Sequence, residues 1–569
     1  MDAFVQPLYE LADFDAIIRQ LKKPGIVQVS GCLDSQKAHF TNGLLREFPF
    51  RLIVAENDLK AKAFYEDFRL YDPEVLYYPA RDLIFYQADI HGNLLTRQRI
   101  QVLRALLERE EVTIVTSIDS CLDCLVPLAV WKEKVIKIRN DSEIDLDRMK
   151  RHLVELGYEW AAQVEVPGQF SIRGGIMDVF SLTEDNPWRI ELWGDEVDSI
   201  RSFDAESQRS IENLEEITIY PATEVVLDKE TIRQGIKAIE KEAQKSQKKF
   251  RDEMKTEEGA RVRQIAAELK DQLEEMEHIA GAESFVRYFY KKTESLLEYL
   301  PENTLVVIDE PNRLTEHAKT TEEEFRESMI HRLEKGYLLP GQMEVIRNHQ
   351  EVVHRFHQMH TLSLSTMEPR GNAWNFTMEM QLTVKSVNPY NNSFEMLVKD
   401  LLRWKKSGYR MLLLSPSRTR AARLAKDLQD QEMSAFYSED PEELIQPGQI
   451  KVTWGRVSRG FEYPMVKYVV ISETDIFGKE KKKKRKKSQY SGKQIQSFSE
   501  LSVGDFVVHE NHGLGVYRGI EKMEVDGVVK DYIKIEYAGK SNLYILATQL
   551  DVLQKYAGSD AAKTPKLNK

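Results

Sequence analysis

Between residues 26 and 125 short, unbroken apolar runs (GIVQVSG, FRLIVAEN, EVTIVTS) alternate with longer stretches of helical character (LKAKAFYEDF, LLTRQRIQVLRALLERE). Apolar runs bounded by turn residues read as strands covered on both faces, and their alternation with helices predicts a parallel sheet wrapped by helices. From about 132 to 220 the pattern changes to period two, as in FSIRGGIMDVF and WRIELWGDEVDSIRSF, with Gly, Pro and Asn at the turns; this predicts an inserted α+β module. Residues 228 to 300 are charged and helical and lead into the apolar run LVVIDEP, which resumes the α/β pattern. A second α/β unit follows, with YRMLLLSPS, TRAARLAKDLQDQ and VKYVVISETDIFG. Short alternating strands between Gly signals (VGDFVVH, HGLGVYRGI, DYIKIEYAG) close the chain and predict a small barrel.

These patterns give a multi-domain α/β chain. The divisions are 1–131 (first lobe, first part), 132–220 (inserted module), 221–380 (completion of the first lobe with a helical segment), 381–478 (second α/β lobe), 479–498 (basic linker), 499–558 (β-barrel) and 559–569 (tail). A length of 569 residues accommodates such a count, at roughly 100–200 residues per domain.

Composition narrows the function classes. The chain is 42% hydrophobic and 30% charged, with no apolar run near the roughly 18–20 residues that cross a bilayer, so no membrane partner is expected. Three cysteines cannot make a disulfide framework, and the N-terminal residues lack a signal-peptide pattern, which leads to an expectation of cytoplasmic residence. Cys121 and Cys124 form a C-x-x-C with no second pair at zinc spacing and read as buried packing thiols; no metal ligands are expected. A net charge of −12 argues against coating nucleic acid by bulk electrostatics, so any DNA contact must be local. The run KEKKKKRKK at 479–487 reads as a solvated linker.

The first apolar run leads into Gly31-Cys32-Leu33-Asp34-Ser35-Gln36-Lys37-Ala38, which aligns with the phosphate-loop pattern G-x-x-x-x-G-K-[ST]. The second glycine, needed for close backbone approach to phosphates, is Gln36, and the hydroxyl that should hold Mg²⁺ is the methyl of Ala38. Asp309 and Glu310 follow LVVI as a Walker-B pair would, yet without that hydroxyl they read as a relic that has lost its partner. In the second lobe Arg459-Gly460-Phe461-Glu462-Tyr463-Pro464 occupies the place of a helicase motif, and no Q-x-x-G-R-x-G-R run supplies arginine fingers. The first lobe is therefore expected to be a degenerate RecA-like lobe, with no catalytic residue, no cofactor and no ATPase activity in this chain.

Two segments carry a resemblance. Pro167-Gly168-Gln169-Phe170-Ser171-Ile172-Arg173-Gly174-Gly175, with Trp188 to Glu196 and Ile200-Arg201-Ser202-Phe203-Asp204, resembles the UvrA-binding module that bacterial transcription-repair coupling factors (Mfd) share with UvrB. Val507-Val508-His509, His512-Gly513-Leu514-Gly515 and Leu543-Tyr544 are similar to the RNA-polymerase-binding module of that family and to CarD-type, Tudor-like barrels. The resemblance implies an adapter in transcription-coupled nucleotide excision repair, with UvrA and the RNA polymerase β subunit as partners. It implies UvrA binding at Arg173, Arg189 and Trp193, and polymerase binding by the strand Arg518, Gly519, Ile520, Glu521, Lys522 and Met523. The family continues into a DNA-translocating motor that uses ATP and Mg²⁺, so DNA is expected to be gripped mainly there, outside this chain. The competing expectations are an ATP-dependent, UvrB-like helicase and a CarD-like transcription regulator.

Overall fold

The structure, a computed structural model, describes residues 3–81, 93–276, 281–369, 374–478, 492–494, 503–509, 513–525, 528–537, 542–546 and 553–556. The basic run 479–487 and the tail lie outside the described residues. The chain is a mixed α/β, multi-domain protein with several separate sheets.

Seven strands form an all-parallel sheet in the order Phe376–Gln381, Gly25–Ser30, His360–Leu364, Leu305–Asp309, Phe50–Ala55, Val112–Ser117, Leu76–Tyr78. Its central strands are buried on both faces, which is why they are written as unbroken apolar runs. Successive residues take opposite sides. Ile26, Leu52, Val54, Val306 and Ile308 enter one core cluster, while Val27, Ile53, Leu305 and Val307 enter another.

Each of the two clusters joins this sheet to a neighbour. The first runs into the inserted module through Trp131, Phe170, Met177, Trp188 and Ile190. That module is a six-stranded sheet ordered Ser210–Leu214, Glu196–Phe203, Trp188–Trp193, Ile176–Val179, Gln169–Arg173, Glu159–Trp160, antiparallel except for its last pair. The antiparallel ribbon of Ile136–Arg139 and Glu216–Ile219 brings its two chain ends together. The second cluster runs into the second lobe through Leu412, Leu414, Val457, Phe461, Tyr463, Tyr468 and Val470, so the two lobes share one core. The second lobe orders its strands Lys385–Ser386, Phe461–Tyr463, Tyr468–Ser472, Arg410–Ser415, Ile450–Trp454, Ala435–Tyr437. A third cluster packs the helices Lys229–Asp252 and Thr256–Met276 against Phe325, Met329 and Leu339.

The C-terminal strands pair antiparallel in the order Gly492–Gln494, Leu553–Tyr556, Phe506–His509, Gly513–Val525, Val528–Glu536, Asn542–Leu546. Closure of this series into a ring is not among the pairings of the described residues. Gly492–Gln494 falls inside the range the sequence assigns to the linker, yet it pairs with Gln554–Tyr556 as part of this sheet. Among the described residues no helix is long and apolar enough to cross a membrane.

Candidate functional site

The helix Asp34–Asn42, where a phosphate loop would open, is enclosed: every residue from Ser35 to Asn42 is buried. Gly31, just before it, has φ 82°, and a Cβ there would meet the Leu382 carbonyl oxygen at 2.1 Å, so only glycine fits this turn. Lys37 is 1% exposed, and its ammonium lies 2.6 Å from Asp309 Oδ1 and 2.7 Å from Glu310 Oε1. Asp309 and Glu310, which lack the hydroxyl of a metal site at Ala38, have this lysine as their partner. The lysine that would reach phosphates and the carboxylates that would hold the metal neutralise one another. Glu310 also accepts from Thr366 N (2.8 Å) and Thr366 Oγ1 (2.7 Å), which holds it at a left-handed φ of 56° immediately before Pro311.

Electrostatics follow from burial plus this pairing. Burial alone would lower the Lys37 pKa, but Asp309 and Glu310 outweigh it and hold the ammonium well above its ordinary range. Burial raises the Asp309 carboxyl in spite of Lys37. At Glu310 burial also pushes upward, and Lys37 and the Thr366 hydrogen bonds overcome it, leaving the group below the ordinary carboxylate value.

Gln36, the residue in place of the second glycine, closes the helix onto the second lobe. Its Oε1 accepts from Leu33 N (3.1 Å) and its Nε2 donates to Tyr463 Oη (2.7 Å). His39 Nδ1 lies 3.1 Å from the same hydroxyl, and Nε2 lies 2.7 Å from the Phe4 carbonyl oxygen. A carbonyl only accepts, so the ring proton resides on Nε2, and Nδ1 accepts the Tyr463 proton. This is the pattern of a neutral imidazole, and burial pushes its pKa down to about 4 against the opposing Phe4 hydrogen bond. Nearby, Asp67 of the first lobe accepts from Ser458 N (2.6 Å) and Oγ (2.7 Å) of the second; burial raises its carboxyl to about 6 although both bonds oppose it. The residues present do not fit a metal-bound triphosphate. Ala38 offers no metal ligand, the lysine is spent, and Tyr463 covers the helix.

The second candidate site is the outward face of the inserted sheet. Trp188, Ile190 and Val197 point into the core, and the alternate positions Arg189, Glu191 and Trp193 share the opposite face. Trp193 is 85% exposed, at the tip of the hairpin that turns through Gly194 and Asp195, so it is not a core residue. Asp178 is 1% exposed and organises the arginines. Arg189 grips it bidentately (Nε to Oδ1 2.7 Å, an amino nitrogen to Oδ2 2.8 Å), and Arg173 reaches Oδ2 at 3.0 Å. Arg189 also bonds Gln208 Oε1 (3.1 Å) and lies over the Phe203 ring at 4.4 Å. Its fork is thus used within the module and only 17% of the side chain is exposed, whereas 51% of Arg173 remains open.

The third candidate, Arg518 to Met523, lies in the strand Gly513–Val525. Along one edge residues 516–525 pair with Val528–Glu536. On the other edge, pairing with Phe506–His509 stops at Val516, and the Tyr517 backbone exchanges bonds with Gly504 and Asp505. Beyond Tyr517 that edge carries no strand pairing among the described residues. Gly519 sits at a register shift with φ 107°, a backbone conformation other residues rarely adopt. Arg518 is exposed and paired to Glu536 at 2.9 Å; the side chains of Glu521, Lys522 and Met523 lie outside the described residues.

Sequence reasoning did not single out His39, Asp178, Thr366 or Phe4, and it took Tyr463 only as one letter of a motif. Asp178 alone left a local signal, a carboxylate at an alternating position of an otherwise apolar strand (IMDV). Among the described residues no group of three or more His, Cys, Asp or Glu is placed to hold a metal ion.

Two family models match the chain: the UvrB interaction domain over residues 136–225 and the CarD-like/TRCF RID domain over residues 501–557. Over 582 aligned residues the chain is 33% identical to the transcription-repair-coupling factor of Bacillus subtilis (strain 168), covering 100% of this chain and 48% of that protein. It is 30% identical over 570 residues to the protein of the same name from Staphylococcus haemolyticus (strain JCSC1435), covering 95% of this chain and 46% of that one. The chain therefore spans about half the length of the curated relatives it matches.

Proposed function

We infer, from a chain that is a relative of the transcription-repair-coupling factors along its whole length, that it acts as the adapter part of such a factor, linking RNA polymerase to recruitment of UvrA. The observation that carries this reading is the open polar face of the segment matching the UvrB interaction domain, a face shared by the exposed Trp193 and the half-open Arg173. Exposed aromatics and arginines with donors to spare are typical interface anchors. Arg189 acts one step behind, by holding Asp178 and through it Arg173.

The C-terminal sheet is the polymerase end. The half-paired strand at 518–523 suits addition of a strand from the β subunit, since backbone donors and acceptors along an unpaired edge supply affinity with little demand on side chains. The two α/β units serve as a degenerate RecA-like scaffold in the cytoplasm. They neither bind ATP nor turn it over, and ATP, Mg²⁺ and most DNA contact belong to the motor of the family. The closed helix Asp34–Asn42 weighs against the helicase reading, and residues 136–225 are left unexplained by a CarD-like regulator alone.

Capture of purified UvrA by the chain tests the first contact: Trp193→Ala and Arg173→Ala are each expected to weaken it by about 1–3 kcal/mol with the fold intact. Unchanged capture by the double variant contradicts the assignment. For the polymerase end, Met523→Asp is compared with Lys530→Asp, with circular dichroism following the fold. Loss of polymerase binding in a folded Met523→Asp chain supports the contact strand, and retention of both fold and binding excludes it.

A further inference from the structure

Away from the three sites above, a cavity of about 560 Å³ opens between the helix Pro311–Glu334 and the segment 343–351. That volume lies in the range of ligand pockets. We propose that it is a binding site for an organic anion, one carboxylate or phosphate head on a short apolar stem.

The floor is apolar, made by Phe325, Met343 and Ile346, with the buried Cys124 beside them. The walls are cationic. Arg347 spends one amino nitrogen on the Thr293 carbonyl (3.0 Å) and Glu298 (2.8 Å), but its Nε is fully buried with no partner. That N–H has no accessible surface, so it lies behind the cavity wall, and Arg347 contributes to the cavity by the charge of its guanidinium. Lys291 and Lys292 also line the cavity, and among the described residues their ammonium groups have neither an ion pair nor a hydrogen bond. Arg287 and Arg326 complete the set, so five cations face three carboxylates in a chain whose net charge is −12.

The carboxylates decide the size of the ligand. Glu322 is turned inward and saturated by Arg326 (2.9 Å), Asn348 (3.1 Å) and His349 (2.7 Å and 2.9 Å). Glu344 pairs with Arg287 at 3.2 Å, and Glu351 stands exposed at the rim. Two acidic groups on the open side disfavour a polyanion laid across the mouth, while a single head seated near Arg347, Lys291 and Lys292 avoids them. The floor then takes the stem, which inorganic phosphate lacks.

The test is titration calorimetry of the whole chain with three probes: phenyl phosphate (head and stem), inorganic phosphate (head only) and a capped Phe-Asp dipeptide (the same chemistry presented by a protein). A head-plus-stem probe is expected to bind about tenfold more tightly than inorganic phosphate, and Lys291→Ala/Lys292→Ala to weaken it about tenfold without changing the melting temperature of the free chain. A dipeptide tighter than phenyl phosphate assigns the head to a protein partner, and the reverse order assigns it to a free ester. The proposal is overturned by no saturable binding of either stem-bearing probe up to about 10 mM, by equal affinity for inorganic phosphate, or by an affinity the lysine changes do not move.

Discussion

Two places in this molecule use the same ingredients, a cation against carboxylates at the end of a strand, and reach opposite ends. At Lys37, Asp309 and Glu310 the groups are buried and neutralised by one another, and Gln36, next to Lys37 on its helix, bonds Tyr463 of the second lobe. On the inserted module the carboxylate is equally buried, but of its two arginines one stays half open, and Trp193 stands beyond them in solvent. The difference teaches that charge chemistry does not by itself make a binding site. What matters is whether donors remain after internal pairing. The first arrangement ties helix to strand end inside one lobe; the second leaves a surface to offer.

The largest expected effect breaks the closed side of the comparison. Lys37→Ala leaves Asp309 and Glu310 buried without a cation, and removing one partner of a buried ion pair costs about 3–5 kcal/mol. Urea denaturation is expected to show a loss of that size, with no comparable loss for Arg173→Ala.

Next comes the pH dependence of the interlobe contact, where two groups oppose each other. His39 has a folded pKa of about 4, below its ordinary 6.5, so its contribution is fully present above pH 6.5 and is lost as pH falls through 4. Asp67, raised to about 6 from 3.8, contributes stability that is present below about pH 3.8 and is lost as pH rises through 6. Each effect is on the order of 3 kcal/mol, so in the parent chain they nearly cancel between pH 6.5 and 4. Relative to the parent, His39→Gln is expected to gain stability on acidification across that window and Asp67→Asn to lose it, as read from denaturation midpoints at each pH. Parallel curves for all three chains contradict the assignment.

Gln36→Gly sharpens the comparison from another side, since it restores the glycine of a phosphate loop. It removes the hydrogen bond to Tyr463 and leaves that hydroxyl and the Leu33 N–H short of a partner, an expected loss of about 1–3 kcal/mol, and it opens no nucleotide site because Lys37 stays paired. The smallest effect belongs to the open face. Trp193→Ala is expected to change stability by no more than about 0.5 kcal/mol, as thermal melting can check, even though the same change weakens UvrA capture.

The parallel sheet and the module inserted into it were readable because both obey a simple periodicity: unbroken apolar runs for doubly covered strands, period two for the sheet with one wet face. Gly492–Gln494 was not readable, since three residues beside a charge run carry no alternation. At the candidate sites, residue identity was visible and pairing was not. Gln36 and Ala38 stand out against the phosphate-loop pattern, but Gln36 meets Tyr463 across 427 positions, and nothing local in either segment specifies that contact. Arg189 and Trp193 lie four apart, an even spacing along one strand, and so share a face; that one is spent and the other free depends on Asp178 in the neighbouring strand and on its register, Asp178 opposite Arg189. Composition reveals which groups exist, and tertiary pairing decides which remain available.

The most direct test of the central claim is calorimetric titration of the chain with Mg-ATP, with the melting temperature followed in parallel. Because the helix Asp34–Asn42 is enclosed and Lys37 is already neutralised, no saturable heat and no shift in melting temperature are expected at about 1 mM nucleotide. Saturable binding tighter than about 1 mM that is abolished by Lys37→Ala, in a variant still folded by circular dichroism, would contradict the account.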